Sequence, residues 1–158
     1  MIQFFDNHNN RVELAFAKNA FPEEPLHVLV ICKYEGSWLL TKHKKRGMEF
    51  PGGKRERGET LEEAARREAY EETGAVFGQL TQIAEYKVFE EKNPFVKAVF
   101  WGKVKFLEKS NHYFETNGPV LVDENLLKQR FGQDYSFIMK DQVVEECIKY
   151  ILQDNQKE

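Results

Sequence analysis

Hydrophobic and polar residues alternate along much of the chain, and this period of two predicts β-strands. The alternation is clearest in residues 11–16, 83–90 and 96–106. The last two segments flank a turn at Asn93 and Pro94, so they are predicted to pair as antiparallel strands. Residues 27–32, HVLVIC, form a continuous apolar run instead, which suits a central strand covered on both faces.

Turn residues and a change of period mark further elements. Glu35, Gly36 and Ser37 separate the central strand from residues 38–43, which are predicted to return beside it as a hairpin. Near the C-terminus, apolar residues recur at helical spacing, at Val143, Val144, Cys147, Ile148, Ile151 and Leu152. This stripe predicts an amphipathic helix packed on the sheet, so the expected fold class is mixed α/β.

Signals at both ends predict another helix over residues 61–73. Thr60 followed by Glu63 has the spacing of a capping box, and Gly74 is placed to end the helix in a left-handed conformation. Tyr70 and Glu62 fall on the outward side of this helix. We expect surface pairs at i,i+4 spacing, namely Glu62 with Arg66 and Glu63 with Arg67.

The inward side of the same helix carries an unusual mixture of residues. A projection at about 100° per residue places small or apolar residues on that side, namely Leu61, Ala64, Ala65 and Ala75. Glu68, Glu71 and Glu72 fall on the same side. Three carboxylates facing inward would repel one another and lose hydration, so a positive partner is expected.

A hard divalent cation satisfies that requirement. Carboxylate oxygens without a nearby histidine or cysteine favour Mg²⁺ or Mn²⁺, so Glu68, Glu71 and Glu72 are candidate metal ligands. The alternative is a solvated acidic helix end, which is the usual meaning of a charge run. The apolar residues on the same side favour the metal site.

The loop before this helix is rich in glycine and basic residues. Gly52 and Gly53 allow close approach of the backbone, and the Gly53 carbonyl is a candidate metal ligand. Lys42, Arg46 and Arg55 are candidate phosphate-binding residues among the surrounding basic residues. A carboxylate helix beside such a loop suits phosphoanhydride chemistry, in which positioning and charge neutralisation supply most of the catalysis.

Composition narrows the possible classes of protein. A length of 158 residues with 41% hydrophobic residues fits a single domain, residues 1–158. A net charge of −3 gives no general indication of nucleic-acid or membrane binding. Cys32 and Cys147 lack metal-ligand spacing and are expected to be buried thiols. Without an evident leader or membrane segment, the expected location is cytoplasmic.

The spacing of the charged residues resembles that of the Nudix hydrolases. Gly53, Glu59 and the run REAYEETGA at residues 67–75 match the Nudix box at every charged and glycine position. The resemblance implies an α/β/α sandwich with a mixed sheet and a loop-helix-loop motif. It also implies that Glu68, Glu71 and Glu72 bind metal and that Arg67 orients a carboxylate. Glu59 would be a further metal ligand or an acid that supports the ligands.

The resemblance further implies attack of a water on a phosphorus of a polyphosphate chain. Metal ions would activate that water and stabilise the leaving group. The general base would be Glu71 or Glu72 within the box, or Glu115 in a loop-like stretch outside it. Asn117 is a candidate contact for a nucleobase, with a turn role in TNGP as the alternative.

Within the family, the chain most resembles MutT-like nucleoside triphosphate pyrophosphohydrolases of the Bacillus YtkD type, from the segments YFETNGPVLV and SFIMKD. This implies a purine nucleoside triphosphate substrate, including 8-oxo-dGTP, with a monophosphate and pyrophosphate as products. Hydrolysis of the 5′ triphosphate of RNA is one alternative. A catalytically silent nucleotide-sensing domain is another, and the oligomeric state remains open.

Overall fold

The computed structural model describes residues 1–113 and 115–156, in which strands build one mixed sheet. The strands are β1 Ile2–Phe5, β2 Arg11–Ala15, β3 His27–Tyr34, β4 Ser37–His43, β5 Gly47–Glu49, β6 Gly52–Lys54, β7 Ala75–Val88, β8 Phe95–Leu107 and β9 Thr116–Val122. The helices are α1 Leu61–Thr73, α2 Leu126–Gln129, α3 Phe137–Lys140 and α4 Gln142–Gln156.

The strand order is β1-β2-β7-β8-β3-β4-β5, with β6 paired to β3 and β9 paired to β4. β3 and β8 run parallel, whereas the hairpins β3–β4 and β7–β8 are antiparallel. The predicted pairing of the two long segments is therefore confirmed. At the β3–β4 turn, Glu35 and Gly36 both have positive φ, at 51° and 84°, as a two-residue turn matched to the strand twist requires.

Helices cover both faces of the sheet, which confirms the predicted α/β/α sandwich. On one face, the alanines of α1 (Ala64, Ala65 and Ala69) pack with Val30 and Phe100. On the other face, α4 contributes Val143, Val144, Cys147, Ile148 and Ile151 to a second core. The apolar stripe of α4 ends there, because Leu152, predicted to belong to it, is 40% exposed.

Strand β9 was not predicted from the sequence. Asn117 and its neighbours in TNGP lie within β9, so the alternative turn role for Asn117 is wrong. Gly118 has a φ of 92°, and the pairing of β4 with β9 shifts register between Thr41 and His43. This irregularity gives the segment turn-like residues inside a strand, which explains why its composition indicated a loop.

Candidate active site

Both ends of α1 are fixed by the residues that predicted them. The Thr60 hydroxyl accepts from the backbone N–H of Glu63 at 3.1 Å, and the Glu63 carboxylate accepts from the N–H of Thr60 at 2.9 Å. At the other end, Gly74 has a φ of 80° and donates its N–H to the carbonyl of Tyr70 at 2.8 Å. The helix therefore spans residues 61–73, as predicted.

The far end of α1 is anchored under the sheet by two threonines. The hydroxyls of Thr41 on β4 and Thr116 on β9 both donate to the backbone carbonyl of Glu72, each at 3.2 Å. Both threonines are buried. These bonds satisfy a carbonyl that has no partner within the helix and fix the position of Glu72 relative to two strands.

Glu72 is the most buried of the three inward carboxylates. Its side chain accepts a hydrogen bond from the backbone N–H of Gly52 at 3.1 Å. Burial raises its pKa to about 9, Glu68 and Glu49 add to the increase, and the Gly52 bond and Arg46 oppose it. The last turn of α1 contains no basic residue, so the helix dipole adds to the cost of negative charge there.

Glu68 occupies the space in front of Gly53. A Cβ atom on Gly53 would lie 2.5 Å from the carboxylate carbon of Glu68. Only glycine therefore allows this carboxylate to approach the β6 backbone so closely. Burial raises the pKa of Glu68, and Arg67 opposes this shift.

Arg67 is the positive centre of the acidic cluster. Its guanidinium donates to Glu59 at 2.7 Å, to Glu68 at 2.9 Å and to Glu71 at 3.3 Å. It also donates to the carbonyl of Lys54 at 3.1 Å. Arg67 lowers the pKa of Glu59, and the carboxylates in turn raise the pKa of Arg67. The expected surface pair between Glu63 and Arg67 is wrong, because Arg67 turns toward these inward carboxylates.

This arrangement of carboxylates around a glycine-rich turn has clear relatives among known proteins. A comparison with protein families matches residues 24–134 to the NUDIX domain. The chain belongs to the NUDIX family. A Bacillus subtilis (strain 168) protein, YtkD, whose name provisionally gives it 8-oxo-dGTP diphosphatase activity, is 45% identical over 149 residues. The match covers 94% of each chain.

Solved structures show the same Nudix fold. The Bacillus subtilis pyrophosphohydrolase BsRppH, in a variant with one glutamate replaced by alanine, has a TM-score of 0.90 and 43% identity. That match covers 98% of each chain. A NUDIX hydrolase from Nitrosomonas europaea matches with a TM-score of 0.64 at 19% identity, over 80% of this chain and 87% of its own. At this sequence identity the similarity shows a shared fold and no more.

Nudix hydrolases generally use a divalent metal, and the donor set here suits one. Two carboxylates with raised pKa and a glycine carbonyl offer hard oxygen atoms beside a backbone that leaves no room for a side chain. Across residues 1–113 and 115–156, no three acidic, histidine or cysteine side chains already form a ready metal site. In this structure Glu68 and Glu71 form ion pairs with Arg67 instead.

The candidate phosphate-binding residues lie around the Nudix loop, the glycine-rich segment before α1 that contains Gly52 and Gly53. They differ in how firmly other side chains hold them. Lys42 is exposed on β4. Arg46 binds the buried carboxylate of Glu49 through two nitrogens, at 2.8 and 3.1 Å. Arg55 pairs with Glu24 at 2.9 Å. Their role toward a substrate remains a prediction. Arg46 is held through two nitrogens by a buried carboxylate, whereas the partner of Arg55 is exposed.

The two candidates outside the Nudix box lie at the start of β9. Glu115 is exposed, has a φ of 56°, and its carbonyl accepts from the N–H of Lys44 at 3.3 Å. The side chain of Asn117 is also exposed. The Lys44 bond brings Glu115 beside the basic loop, but within residues 1–113 and 115–156 no hydrogen bond or ion pair holds its carboxylate, so its catalytic role remains a prediction.

Glu49 is a site residue that the sequence did not reveal. Its side chain is buried beside the Nudix loop, where it accepts from Arg46 and from the hydroxyl of Ser136 at 3.1 Å. Backbone hydrogen bonds of Met48 with residues 134 and 136 hold these two segments together. A single charged residue inside the apolar string MEFP was the available signal.

Proposed function

We propose that this Nudix protein hydrolyses purine nucleoside triphosphates, including 8-oxo-dGTP, to the monophosphate and pyrophosphate in a Mg²⁺-dependent reaction. The observation that carries the proposal is the pair of carboxylates with raised pKa values, Glu68 half-buried against Gly53 and Glu72 buried against Gly52. Such a site is electrostatically unfavourable without a cation. The 45% identity to YtkD supports the choice of substrate.

Glu68, Glu71 and Glu72 would hold the metal, with Glu59 and the Gly53 carbonyl as further oxygen donors. When bound, a divalent metal neutralises phosphate charge and lowers the pKa of a coordinated water. Arg67 positions the acidic side chains, because one guanidinium spans Glu59, Glu68 and Glu71. The threonine bonds to Glu72 keep the helix end in place during turnover.

The general base is proposed to be Glu71 or Glu115. Glu72 is buried and bound to Gly52, which suits a ligand better than a group that exchanges protons with water. Glu71 retains 30% of its side-chain exposure, and Glu115 is exposed beside the basic loop. Loss of the base should lower kcat by roughly 10²–10⁴-fold at nearly unchanged KM. Glu71→Gln and Glu115→Gln, compared by kcat and pH profile, distinguish the two.

Hydrolysis of the 5′ triphosphate of RNA is the second candidate. It uses the same terminal phosphates, and the similar BsRppH structure is described as a pyrophosphohydrolase. A silent sensing domain is less well supported, since every acidic residue of the box is present.

The test is a Mg²⁺-dependent assay with GTP, ATP, 8-oxo-dGTP, ADP-ribose and a 5′-triphosphorylated RNA oligonucleotide. We expect a nucleoside monophosphate and pyrophosphate from the free triphosphates. Turnover of the RNA alone would favour the second candidate. A folded protein that hydrolyses no substrate in this set would contradict both enzymatic proposals.

A further inference from the structure

An open groove lies on the face of the sheet that α4 covers. Its lining comes from the segment after β2, from β7 and β8, and from the last turns of α4. Phe16, Ile83 and Trp101 of this lining pack against the core beneath α4. The cavity measures about 730 Å³, which falls in the range of about 300–1,000 Å³ typical of ligand sites.

Aromatic rings contribute much of the apolar surface of this groove. Trp101 on β8 is paired with Thr81 on β7, and its side chain is half-buried. Phe16 and Tyr150 stack with their ring centres 4.3 Å apart and their planes at 9°. Tyr150 is 38% exposed. The groove therefore presents aromatic surface that a ligand from solution can reach.

Three exposed lysines surround the aromatic surface. Lys103 and Lys105 follow Trp101 at alternate positions of β8, so their side chains leave the same face of the sheet. Lys18 comes from the segment after β2. In the part of the chain that the structure describes, no carboxylate forms an ion pair with any of the three. Asp154 is the one acidic residue of the described lining, so the groove is basic within a chain of net charge −3.

The groove is separate from the Nudix carboxylates. Glu68, Glu71 and Glu72 belong to α1, which packs on the other face of the sheet. None of the three lines the groove. A ligand bound there is therefore not held through the phosphates that the Nudix site is proposed to cleave.

A protein strand added to the edge of β7 fits this groove poorly. β2 pairs with β7 only at Glu85–Val88, so the earlier part of that edge has no strand partner among the described residues. Arg66 already donates to the carbonyls of Phe77 and Gly78 there, at 3.1 and 2.8 Å. The register of β7 also shifts near Phe77, and such irregularities hinder pairing with another strand. An anionic chain that needs no backbone pairing fits better.

We propose that this groove binds single-stranded RNA, with Lys18, Lys103 and Lys105 at the phosphates and Trp101 stacked on a base. Proteins that bind single strands combine a positively charged groove with aromatic rings on which bases stack. A single strand is required, because the bases of a duplex already stack on one another. The proposal goes beyond the proposed function, since this groove contains none of the metal-binding carboxylates.

The test is fluorescence anisotropy with a short labelled 5′-hydroxyl RNA, which has no terminal phosphate for the Nudix site to hydrolyse. We expect saturable binding by the wild type at low salt. The double variant Lys103→Gln/Lys105→Gln should bind roughly ten-fold more weakly, because two phosphate contacts are lost. Its slope of log affinity against log salt should be shallower by roughly 1.4, about 0.7 for each contact.

Trp101→Leu tests the stacking contact separately. It keeps an apolar side chain against the core but removes the ring, so affinity for the RNA should fall roughly ten-fold. The salt slope should stay at the wild-type value, because no charge changes.

Lys92→Gln/Lys128→Gln is the matched control. It removes the same charge at two exposed lysines outside the groove, in the turn before β8 and on α2. RNA affinity should equal that of the wild type, and GTP turnover should be unchanged in all of these variants. No RNA binding by the wild type, or equal losses in the two double variants, would overturn the proposal.

Poly-glutamate is the second probe in the same assay. Binding as tight as that of the RNA, weakened by the Lys103→Gln/Lys105→Gln change but not by Trp101→Leu, would overturn the RNA assignment and indicate a surface for an acidic protein. Absence of GTP turnover in a wild type that still binds the RNA through the groove would contradict the proposed function and leave this proposal intact.

Discussion

Two regions beside the Nudix loop bring charged groups together in different ways. On the α1 face, Glu68, Glu71 and Glu72 lie within five residues of one helix, and Arg67 joins them. Beside the same loop, Glu49 on β5 accepts a hydrogen bond from Ser136, which is 87 positions away in the sequence. Local spacing therefore builds the carboxylate cluster of α1, and pairing between distant segments builds the surroundings of Glu49.

The close spacing of the carboxylates on α1 predicts that a single change there should nearly stop the reaction. Glu72→Gln removes the charge of a proposed metal ligand without changing its size, so kcat should fall by roughly 10²–10³-fold. Steady-state assays with Mg²⁺ check this. Glu62→Gln is the control, because Glu62 is exposed on the same helix and pairs with Arg66 at 3.1 Å. Equal activity of the two variants would contradict the assignment.

A change in the loop should be almost as severe. Gly53→Ala places a methyl group 2.5 Å from the carboxylate carbon of Glu68, so that side chain must move. Misplacement of a reacting group by about 1 Å costs on the order of 10²-fold in rate. Gly78→Ala is the control, since a Cβ atom there meets nothing within 4 Å. Full activity of Gly53→Ala would show that the position of Glu68 is not critical.

The stability of the metal-free protein should fall as pH rises. The folded protein keeps a proton on Glu72 up to a pKa of about 9, whereas the unfolded chain releases it near 4.5. Between these values the folded state binds more protons, so one such group lowers the free energy of unfolding by at most about 1.4 kcal/mol per pH unit. Urea unfolding from pH 6 to 9 measures this slope.

Glu72→Gln should flatten that dependence, because the amide does not titrate. Added Mg²⁺ should also flatten it, since a bound cation favours the ionised carboxylate. The same pH slope in the wild type and in Glu72→Gln, both without metal, would show that Glu72 is not the group responsible.

The smallest expected effect concerns the start of α1. Thr60→Ala removes the hydroxyl that caps Glu63 and should lower the free energy of unfolding by about 1 kcal/mol. Because the cap lies at the opposite end of the helix from Glu72, kcat per folded molecule should change little. Thermal unfolding and an active-fraction assay together check this. A large loss of kcat at full folding would show that the cap affects the metal-binding end.

Much of α1 could be predicted because its signals are local. Thr60, Glu63 and Gly74 fix its ends through bonds within one turn, and alanine spacing fixes its buried face. The contacts of Arg67 were only partly predictable, because Glu59 and Glu63 are both within its reach in sequence. The structure selects Glu59, which lies in the preceding loop.

The rest of the site depends on contacts between distant segments. Glu49 lies beside Ser136 only because β5 pairs with residues near the start of α3. Strand β9 follows from its pairing with β4, and its glycine and proline indicated a loop.

The most direct test of the central claim is a Mn²⁺ titration of the wild type, Glu72→Gln and Glu62→Gln. The electron paramagnetic resonance signal of the free ion measures how much Mn²⁺ each protein binds. The account predicts saturable binding by the wild type and Glu62→Gln. It predicts binding weaker by roughly ten-fold or more in Glu72→Gln. Equal Mn²⁺ affinity in all three proteins would contradict the assignment of the buried α1 carboxylates as metal ligands.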